Sequence, residues 1–377
     1  MALGDQREWT WKIFLILFGI VLGMLAVEVS LRMLKDRPRV SVKWTIYRRL
    51  AATEVAYDLK PNSQQSVDGV LYKINSHGMR DREYPLEKGE HSYRLAVLGD
   101  SCTFGDGVSL EDTYVKQLEY VLNQEHHLRK KIEVLNLGVN GYNTVQELWR
   151  LKEMGLKCQP DLILLGYYLN DPLPVDLKAV FGGHKQKELP YRIPLPFKAF
   201  LRRHSQLYMS LSNVYGGILQ WFGLRSDKVR RSATYYLDYY SALYQDTFEG
   251  WEKCQKALLD FSRIAATEGV LYLVVIFPAL IDLEGSYPFG FIHHKVASFL
   301  GENDIAFLDL LPTYLGKDSR SLWAVSDNRH PNRQAHQIAA RAISEYLMAK
   351  GLLDSSRAPQ VEESPERVLS LADSDQS

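Results

Sequence analysis

The sequence predicts an α/β domain in which a parallel β-sheet is covered by helices on both faces. Short apolar runs, typical of buried strands, alternate with amphipathic segments of helical periodicity. Helical segments of about 10–20 residues between strands indicate crossover connections, and these make a sheet parallel. Strands are predicted at Tyr93–Leu98, Ile132–Leu137, Asp161–Tyr168, Val270–Phe277 and Ile305–Leu308.

The helices predicted between these strands follow from the spacing of their apolar residues. They are expected at Thr113–Asn123, Thr144–Met154, Tyr240–Glu268, His293–Leu300 and Asn332–Lys350. Together with the strands they form a domain over residues 90–352. Sheets of this kind bind ligands at the carboxyl ends of their strands, so functional residues are expected at that edge.

The composition excludes several function classes. Among the 377 residues, 45 Lys and Arg balance 45 Asp and Glu, so no overall positive field is present to hold a nucleic acid. The three cysteines, Cys102, Cys158 and Cys254, form no C-x-x-C pair, which argues against a disulfide framework and a cysteine zinc site. Walker and dinucleotide-binding glycine motifs are also missing from the sequence. We therefore predict no cofactor, no metal ion and no nucleic-acid partner.

Residues 1–38 are predicted to form a membrane anchor with one transmembrane helix. The charge-free stretch Ile13–Val27 covers only about 22 Å as a helix, less than the roughly 30 Å hydrocarbon core. Extending it through Leu34 gives a spanning length and includes Glu28 and Arg32, whose i, i+4 spacing lets them pair. A cleaved signal peptide fits the apolar core as well, but no convincing cleavage site follows it.

The side of the membrane is left open by the charges. Basic residues dominate the segment after the apolar stretch, which by the positive-inside rule would keep the large domain in the cytoplasm. The same basic run could instead contact anionic headgroups on either leaflet. We expect the large domain to be extracytoplasmic, although the basic flank argues in the other direction.

Three further segments lie outside the alternating pattern. Residues 39–89 form a juxtamembrane and lead-in segment. Residues 172–234, rich in Pro, Arg, Tyr and Gly, are too long for a bare loop in a compact domain, which predicts helical insertions or a lid. Residues 353–377 are rich in Ser and acidic side chains and are predicted to be disordered.

The first predicted strand leads directly into the turn GDSCTFG, residues 99–105. Ser101 would project from the carboxyl edge of the sheet with a flexible glycine on either side. The turn differs from the G-x-S-x-G elbow of α/β-hydrolases, because Thr103 occupies the position of the final glycine. Gly-Asp-Ser is also common in ordinary turns, so both a nucleophile and a turn residue remain possible interpretations of Ser101.

The next two strands also end in polar turns. The second runs into NLGVNGYNT, residues 136–144, where Gly141 either presents its backbone N–H to a site or simply permits the turn. The third runs into GYYLNDP, residues 166–172, where the Asn170 side chain offers an amide donor for a developing oxyanion.

Asp327 and His330 stand together in DNRHPN near the C-terminal end of the domain. Histidine is the side chain best suited to act as a base near neutral pH, and an acid three residues earlier can hold its other ring nitrogen. Pro331 fits the first turn of the helix that follows. A helix-start turn with a solvated histidine is the alternative.

Together these four blocks resemble the SGNH, or GDSL, hydrolase superfamily, and INSHGMRD, residues 74–81, looks like the lead-in of its membrane-anchored bacterial members. The resemblance covers roughly residues 75–347 and is weak over 172–234. It implies a flavodoxin-like three-layer fold with a five-stranded parallel sheet. It also implies the site residues: Ser101 as nucleophile, His330 as general base, Asp327 as its orienting partner, and Ser101 N–H, Gly141 N–H and the Asn170 side chain as the oxyanion hole.

By this resemblance the chain is expected to be a membrane-anchored serine esterase that forms an acyl-enzyme on an O-acylated small molecule or glycan. Two alternatives stay open. An O-acyltransferase would pass the same acyl group to a sugar hydroxyl instead of water. A catalytically silent module would bind envelope glycans, but the presence of Ser101, Asp327 and His330 together argues against it. The sequence indicates neither the acyl group nor the alcohol, and it leaves the oligomeric state open.

Overall fold

The computed structural model describes residues 45–50, 55–126, 128–174, 236–324 and 329–353, together with helical positions between 11 and 27. The chain divides into two units, one of residues 44–175 and 235–377 and one of residues 1–43 and 176–234. The predicted insertion and C-terminal tail lie almost entirely outside the described residues. Of the second unit, only the helical positions between 11 and 27 are described.

The predicted parallel sheet is confirmed in the first unit. Its strands are β5 (Ser92–Gly99), β6 (Lys131–Asn136), β7 (Leu162–Tyr168), β8 (Leu271–Phe277) and β9 (Phe307–Asp309), in the spatial order β6-β5-β7-β8-β9. Every neighbouring pair is parallel. Counted within the sheet this is the order 2-1-3-4-5, the flavodoxin-like arrangement. The order reverses between β5 and β7, which is where such sheets bind their ligands.

Seven α-helices are described around this sheet. They are α1 (Ser101–Phe104), α2 (Tyr114–Gln124), α3 (Thr144–Arg150), α4 (Glu249–Glu268), α5 (Gly290–Glu302), α6 (Leu311–Tyr314) and α7 (Arg333–Ala349). Short 3₁₀ turns lie at Leu110–Asp112, Leu156–Cys158 and Ser319–Leu322, and α3 continues into one wide π turn, Leu151–Gly155. Residues 236–243 are also helical.

The helices cover both faces of the sheet because side chains alternate along each strand. On one face, Leu95 and Val97 of β5 join a buried cluster with residues of α2 and α7. On the opposite face, Phe261 of α4 stacks on Tyr272 of β8, with ring centroids 5.4 Å apart. The three-layer prediction is therefore confirmed for the described residues.

The single helix predicted over Tyr240–Glu268 is wrong. The helical residues 236–243 end in a turn, and α4 begins only at Glu249. Tyr244 and Trp251 stay buried on either side of this turn, with ring centroids 5.1 Å apart. The apolar spacing continues across the turn, which is why the pattern alone does not reveal the break.

The lead-in segment contributes two antiparallel pairs that the sequence did not predict. They are β1 (Tyr47–Arg49) with β2 (Tyr57–Leu59), and β3 (Ser63–Val67) with β4 (Val70–Ile74). Asp58 of β2 accepts a hydrogen bond from Arg150 at the end of α3, at 2.6 Å with both side chains buried. The lead-in is thus attached to the helical layer of the sheet domain.

The N-terminal helical positions expose large apolar side chains. Trp11, Leu15, Ile16, Phe18 and Leu22 are each more than half exposed. Among the residues that the structure describes, none of the helices combines the length and the apolar character needed to cross a membrane.

Candidate active site

Ser101 stands at the carboxyl end of β5 as the first residue of α1. The turn is tight because Gly99 has φ +152° and a Cβ there would lie 2.9 Å from the Gly166 carbonyl oxygen of the neighbouring strand. Asp100 caps the helix, its Oδ1 accepting the Cys102 N–H at 2.8 Å. The Ser101 side chain is therefore held at the sheet edge by backbone geometry and a cap, with only 8% of the residue exposed.

His330 reaches Ser101 from the far end of the chain. Its Nε2 lies 2.9 Å from Ser101 Oγ, although the two residues are 229 positions apart in the chain. The histidine is fixed from both sides, since its carbonyl accepts the Ala324 N–H at 2.8 Å and Asn332, two residues later, caps α7 through the Ala335 N–H at 3.0 Å. The distance from Nε2 to Oγ is that of a nucleophile and its base.

The predicted acid partner of this histidine, Asp327, lies outside the described residues. A carboxylate that the sequence did not predict faces the ring nitrogen that points away from Ser101: Asp106 Oδ2 is 3.5 Å from His330 Nδ1. Asp106 follows α1 by two residues, and its backbone N–H donates to the Ser101 carbonyl at 3.0 Å. The loop after the nucleophile thus brings a negative charge to the imidazole.

Gly141 lies in the turn after β6, and this turn is tied to the nucleophile's strand. Val139 N–H donates to the Gly99 carbonyl at 3.0 Å, and the Asn136 side chain donates to the Thr103 carbonyl at 3.0 Å. Gly141 itself has φ +80°, a conformation that residues with a Cβ rarely adopt. A Cβ there would also lie 3.0 Å from the Tyr57 hydroxyl. The backbone therefore requires glycine at this position.

Asn170 follows β7, whose Gly166 is paired with Gly99 of β5. Its side chain acts on the carboxyl of Asp100, one residue before Ser101, and lowers the pKa of that carboxyl. Asn170 is therefore at the same sheet edge as Ser101, Gly141 and His330.

Asp100 connects the nucleophile to its surroundings electrostatically. Burial raises the pKa of its carboxyl, while the Cys102 N–H, His330, Asn170 and Ser101 oppose that rise. Its Oδ2 lies 3.3 Å from Ser101 Oγ. Asp100 therefore both caps α1 and lies within reach of the Ser101 hydroxyl.

Cys102 does not provide a second nucleophile. The residue is 4% exposed, and burial, followed by the nearby Asp100, raises the pKa of its thiol well above the ordinary value. A buried thiol of this kind remains protonated and unreactive.

Among the described residues, no group of three or more His, Cys, Asp and Glu side chains is arranged to hold a metal ion.

Arg80 supports the loop that carries Asp106, a role that the sequence did not indicate. Its guanidinium donates to the carbonyls of Phe104 at 2.6 Å, Gly105 at 2.5 Å and Val108 at 2.6 Å. It is fully buried and lies over the Tyr72 ring, 4.4 Å from the centroid. Because the planar guanidinium satisfies three carbonyls at once, it fixes the path of the chain after the nucleophile.

Asn170→Ala is expected to reduce kcat by about 10²–10³-fold, or ~2.7–4 kcal/mol, with KM changed only slightly. The amide would contact an oxygen that becomes fully negative only in the tetrahedral intermediate, so its loss weakens the transition state more than the ground state. Steady-state kinetics on one ester measure both constants. Asn170→Asp should be worse, since an ionised carboxylate repels the oxyanion, and a raised KM with an intact kcat would instead mean that Asn170 binds substrate.

Comparison with solved structures finds similar chains among hydrolases. A member of the lipolytic G-D-S-L family from Veillonella parvula shares 12% identity with a TM-score of 0.38, over 68% of this chain and 98% of that one. The psychrotrophic esterase EstA from Pseudoalteromonas sp. shares 15% with a TM-score of 0.39, over 69% and 99%. An alpha/beta hydrolase enzyme from the metagenome of Lake Arreo shares 14% with a TM-score of 0.40, over 70% and 97%.

No family model matches the chain, and no curated protein matches it by sequence. One of these solved neighbours is a member of the G-D-S-L family that the sequence resembles. The reaction proposed for the site is supported by the geometry of this chain's own side chains.

Proposed function

We propose that this chain is a serine hydrolase that cleaves ester bonds through an acyl-enzyme. The observation that carries the proposal is the 2.9 Å contact between Ser101 Oγ and His330 Nε2 at the carboxyl edge of the sheet. A serine hydroxyl is a weak nucleophile by itself and becomes effective when a neighbouring base accepts its proton.

In the proposed first step, Ser101 Oγ attacks the ester carbonyl carbon while His330 Nε2 takes the hydroxyl proton. The carbonyl oxygen becomes an oxyanion, which the Ser101 N–H, the Gly141 N–H and the Asn170 amide would stabilise. Collapse of this intermediate breaks the ester C–O bond, and the imidazolium returns its proton to the departing alcohol. A water molecule, deprotonated by the same histidine, then attacks the carbonyl carbon of the acyl-enzyme. The bond from this carbon to Ser101 Oγ breaks, the imidazolium returns its proton to Oγ, and the acid is released.

Asp327 is the proposed partner that orients the imidazole in this scheme. It stands three residues before His330 in the sequence. A carboxylate there would favour the tautomer whose Nε2 accepts a proton and would stabilise the imidazolium.

The proposed activity is tested with a series of aryl esters of increasing acyl length, with and without an added sugar alcohol. Release of the free acid in a Ser101-dependent manner is the expected result for a hydrolase. Appearance of the acyl group on the added alcohol in preference to water would indicate an O-acyltransferase. Absence of turnover by folded protein on every ester would contradict the proposal and favour a silent glycan-binding module.

We further propose that residues 1–38 anchor the enzyme in a membrane. The proposal is supported by the charge-free stretch from residue 13 to residue 27 and by the exposure of its large apolar side chains, such as Leu15 and Ile16. An apolar helix exposed to water is costly, and lipid would cover it.

Full-length protein should remain with membranes through an alkaline carbonate wash and be released only by detergent. A chain of residues 39–377 should be soluble and keep the melting transition of the detergent-extracted protein. Sedimentation followed by immunoblotting measures the first expectation, and thermal unfolding measures the second. Full-length protein in the soluble fraction would contradict the anchor.

A further inference from the structure

A carboxylate outside the predicted triad lies beside the base. Asp106 Oδ2 stands 3.5 Å from His330 Nδ1, on the side of the ring opposite to the nitrogen that faces Ser101. At this distance the contact is an ion pair once the imidazole is protonated, and it is too long for a strong hydrogen bond. Both side chains are largely enclosed, with 18% and 24% exposed, so solvent screens the pair only partly.

The position of Asp106 is fixed by two neutral donors. The Tyr72 hydroxyl donates to Oδ1 at 3.1 Å, and the Asn140 amide donates to Oδ2 at 3.2 Å. The same hydroxyl accepts the Gly107 N–H at 2.9 Å, which fixes its orientation. Burial and the nearby Asp106 raise the pKa of Tyr72 to about 12, so the phenol stays a neutral donor. Neutral donors hold the carboxylate without cancelling its charge.

One buried positive charge, that of the Arg80 guanidinium, acts on both Tyr72 and Asp106. Arg80 lies over the Tyr72 ring, but its Nη1 and Nη2 groups donate to the three carbonyls of the loop. Other charged or titratable groups that act on the imidazole are Asp100, near Ser101, and His336 on α7. His336 is fully buried and its pKa is lowered to about 3, so it adds no positive charge near neutral pH.

We propose that Asp106 is a positioning residue for the reaction, holding and stabilising the His330 imidazolium that forms when Ser101 gives up its proton. This inference rests on the proposed hydrolase function and adds a second carboxylate to the one expected from Asp327. It also gives the lead-in a role in catalysis, since Tyr72 of β4 holds Asp106 in place.

Asp106→Asn tests the proposal because it keeps the size of the side chain and removes the charge. We expect kcat to fall about 10- to 100-fold, which is part of the ~10²–10⁴-fold rate enhancement that a positioned general base contributes. KM should stay within about 2-fold of the wild-type value. Losing a nearby negative charge makes the imidazolium less stable, so the acidic limb of the kcat/KM profile should move to lower pH by about 0.5–2 units. Asp106→Glu, which returns the negative charge, should restore part of kcat and reverse part of the shift in the acidic limb.

Tyr72→Phe provides a second variant that leaves the carboxylate in place. It should lower kcat by a smaller factor than Asp106→Asn does, because Asp106 keeps its charge and loses only the donor to Oδ1. It should also widen the pH range over which kcat/KM falls. Asp112→Asn is the matched control, since that aspartate accepts a hydrogen bond from Ser109 and pairs with Arg333, with no contact to His330 among the described ones. This variant should leave kcat and the pH profile unchanged.

Thermal unfolding and the rate of Ser101 labelling by a fluorophosphonate are measured on every variant. A folded Asp106→Asn protein with an unmoved acidic limb would overturn the positioning role, whether or not kcat falls. If wild-type protein itself fails to label at Ser101, the hydrolase proposal fails first, which separates the two results.

Discussion

Ser101→Ala is expected to lower kcat/KM on an ester substrate by about 10⁴–10⁶-fold, the largest effect of any substitution in this chain. The alanine removes the atom that attacks the carbonyl, and no neighbouring side chain replaces it: the Cys102 thiol is buried and protonated. Folding should be preserved, because the helix cap runs from Asp100 to the Cys102 N–H and does not use the Ser101 hydroxyl. Steady-state kinetics and thermal unfolding check the two statements.

Ser109→Ala is the matched control for this substitution. Ser109 is an exposed serine in the same region, and its hydroxyl bonds only the surface Asp112 at 2.7 Å among the described contacts. We expect its kcat/KM to stay within about 2-fold of wild type, as for most surface substitutions. Comparable activity in Ser101→Ala and Ser109→Ala would remove Ser101 from the mechanism.

His330→Ala should lower kcat by about 10³–10⁶-fold, since the serine then loses the group that accepts its proton. His294→Ala is the appropriate control because His294 is exposed on α5 and bonds only its own helix neighbour Ser298 among the described contacts. Its kcat should be unchanged. Equal activity of the two histidine variants in a standard ester assay would exclude His330 as the base.

His336 is a poor control despite its position six residues after the base. Its Nδ1 accepts the Tyr114 N–H at 3.0 Å, and the residue is buried between α2 and α7. Removing it leaves a buried backbone donor without a partner, which costs about 1–3 kcal/mol of stability. Any loss of activity in His336→Ala would therefore mix unfolding with catalysis.

The strands of the sheet and their parallel direction follow from the sequence because the strands are continuous apolar runs separated by helical segments. Each predicted strand matches the observed one to within a few residues, as with Tyr93–Leu98 against Ser92–Gly99. The blocks that follow β5, β6 and β7 are also brought to one edge, since parallel strands end together. Topology thus makes the relative placement of Ser101, Gly141 and Asn170 predictable.

The lead-in hairpins were not predictable in the same way. The strand β3, SQQSV, contains one apolar residue and carries no alternation strong enough to indicate a strand. Its partner strand β4 carries Tyr72, which lies 34 positions before Asp106 in the chain. Tyr72 acts on the site through its hydrogen bond to Asp106. Local periodicity holds no information on such a contact.

Asp106 was missed for a related reason. In the sequence it is one of many acids, five positions after the serine, and the expected partner of the histidine was the acid in the histidine's own turn. Its proximity to His330 arises from the reversal of the chain after α1, which Arg80 holds through three backbone carbonyls. The path of the loop after α1 in the folded chain brings the Asp106 carboxylate next to the His330 imidazole.

The central claim is that His330 activates Ser101, and covalent labelling with a fluorophosphonate followed by peptide mass spectrometry tests it most directly. In this reaction a bond forms between Ser101 Oγ and phosphorus, fluoride leaves, and the serine proton passes to the histidine. We expect a single adduct on the peptide that contains Ser101, formed at least 10³-fold more slowly in His330→Ala, in keeping with the kcat effect of losing the base. Folded protein that takes up no label, or an adduct on another residue while esters are still cleaved, would contradict the account.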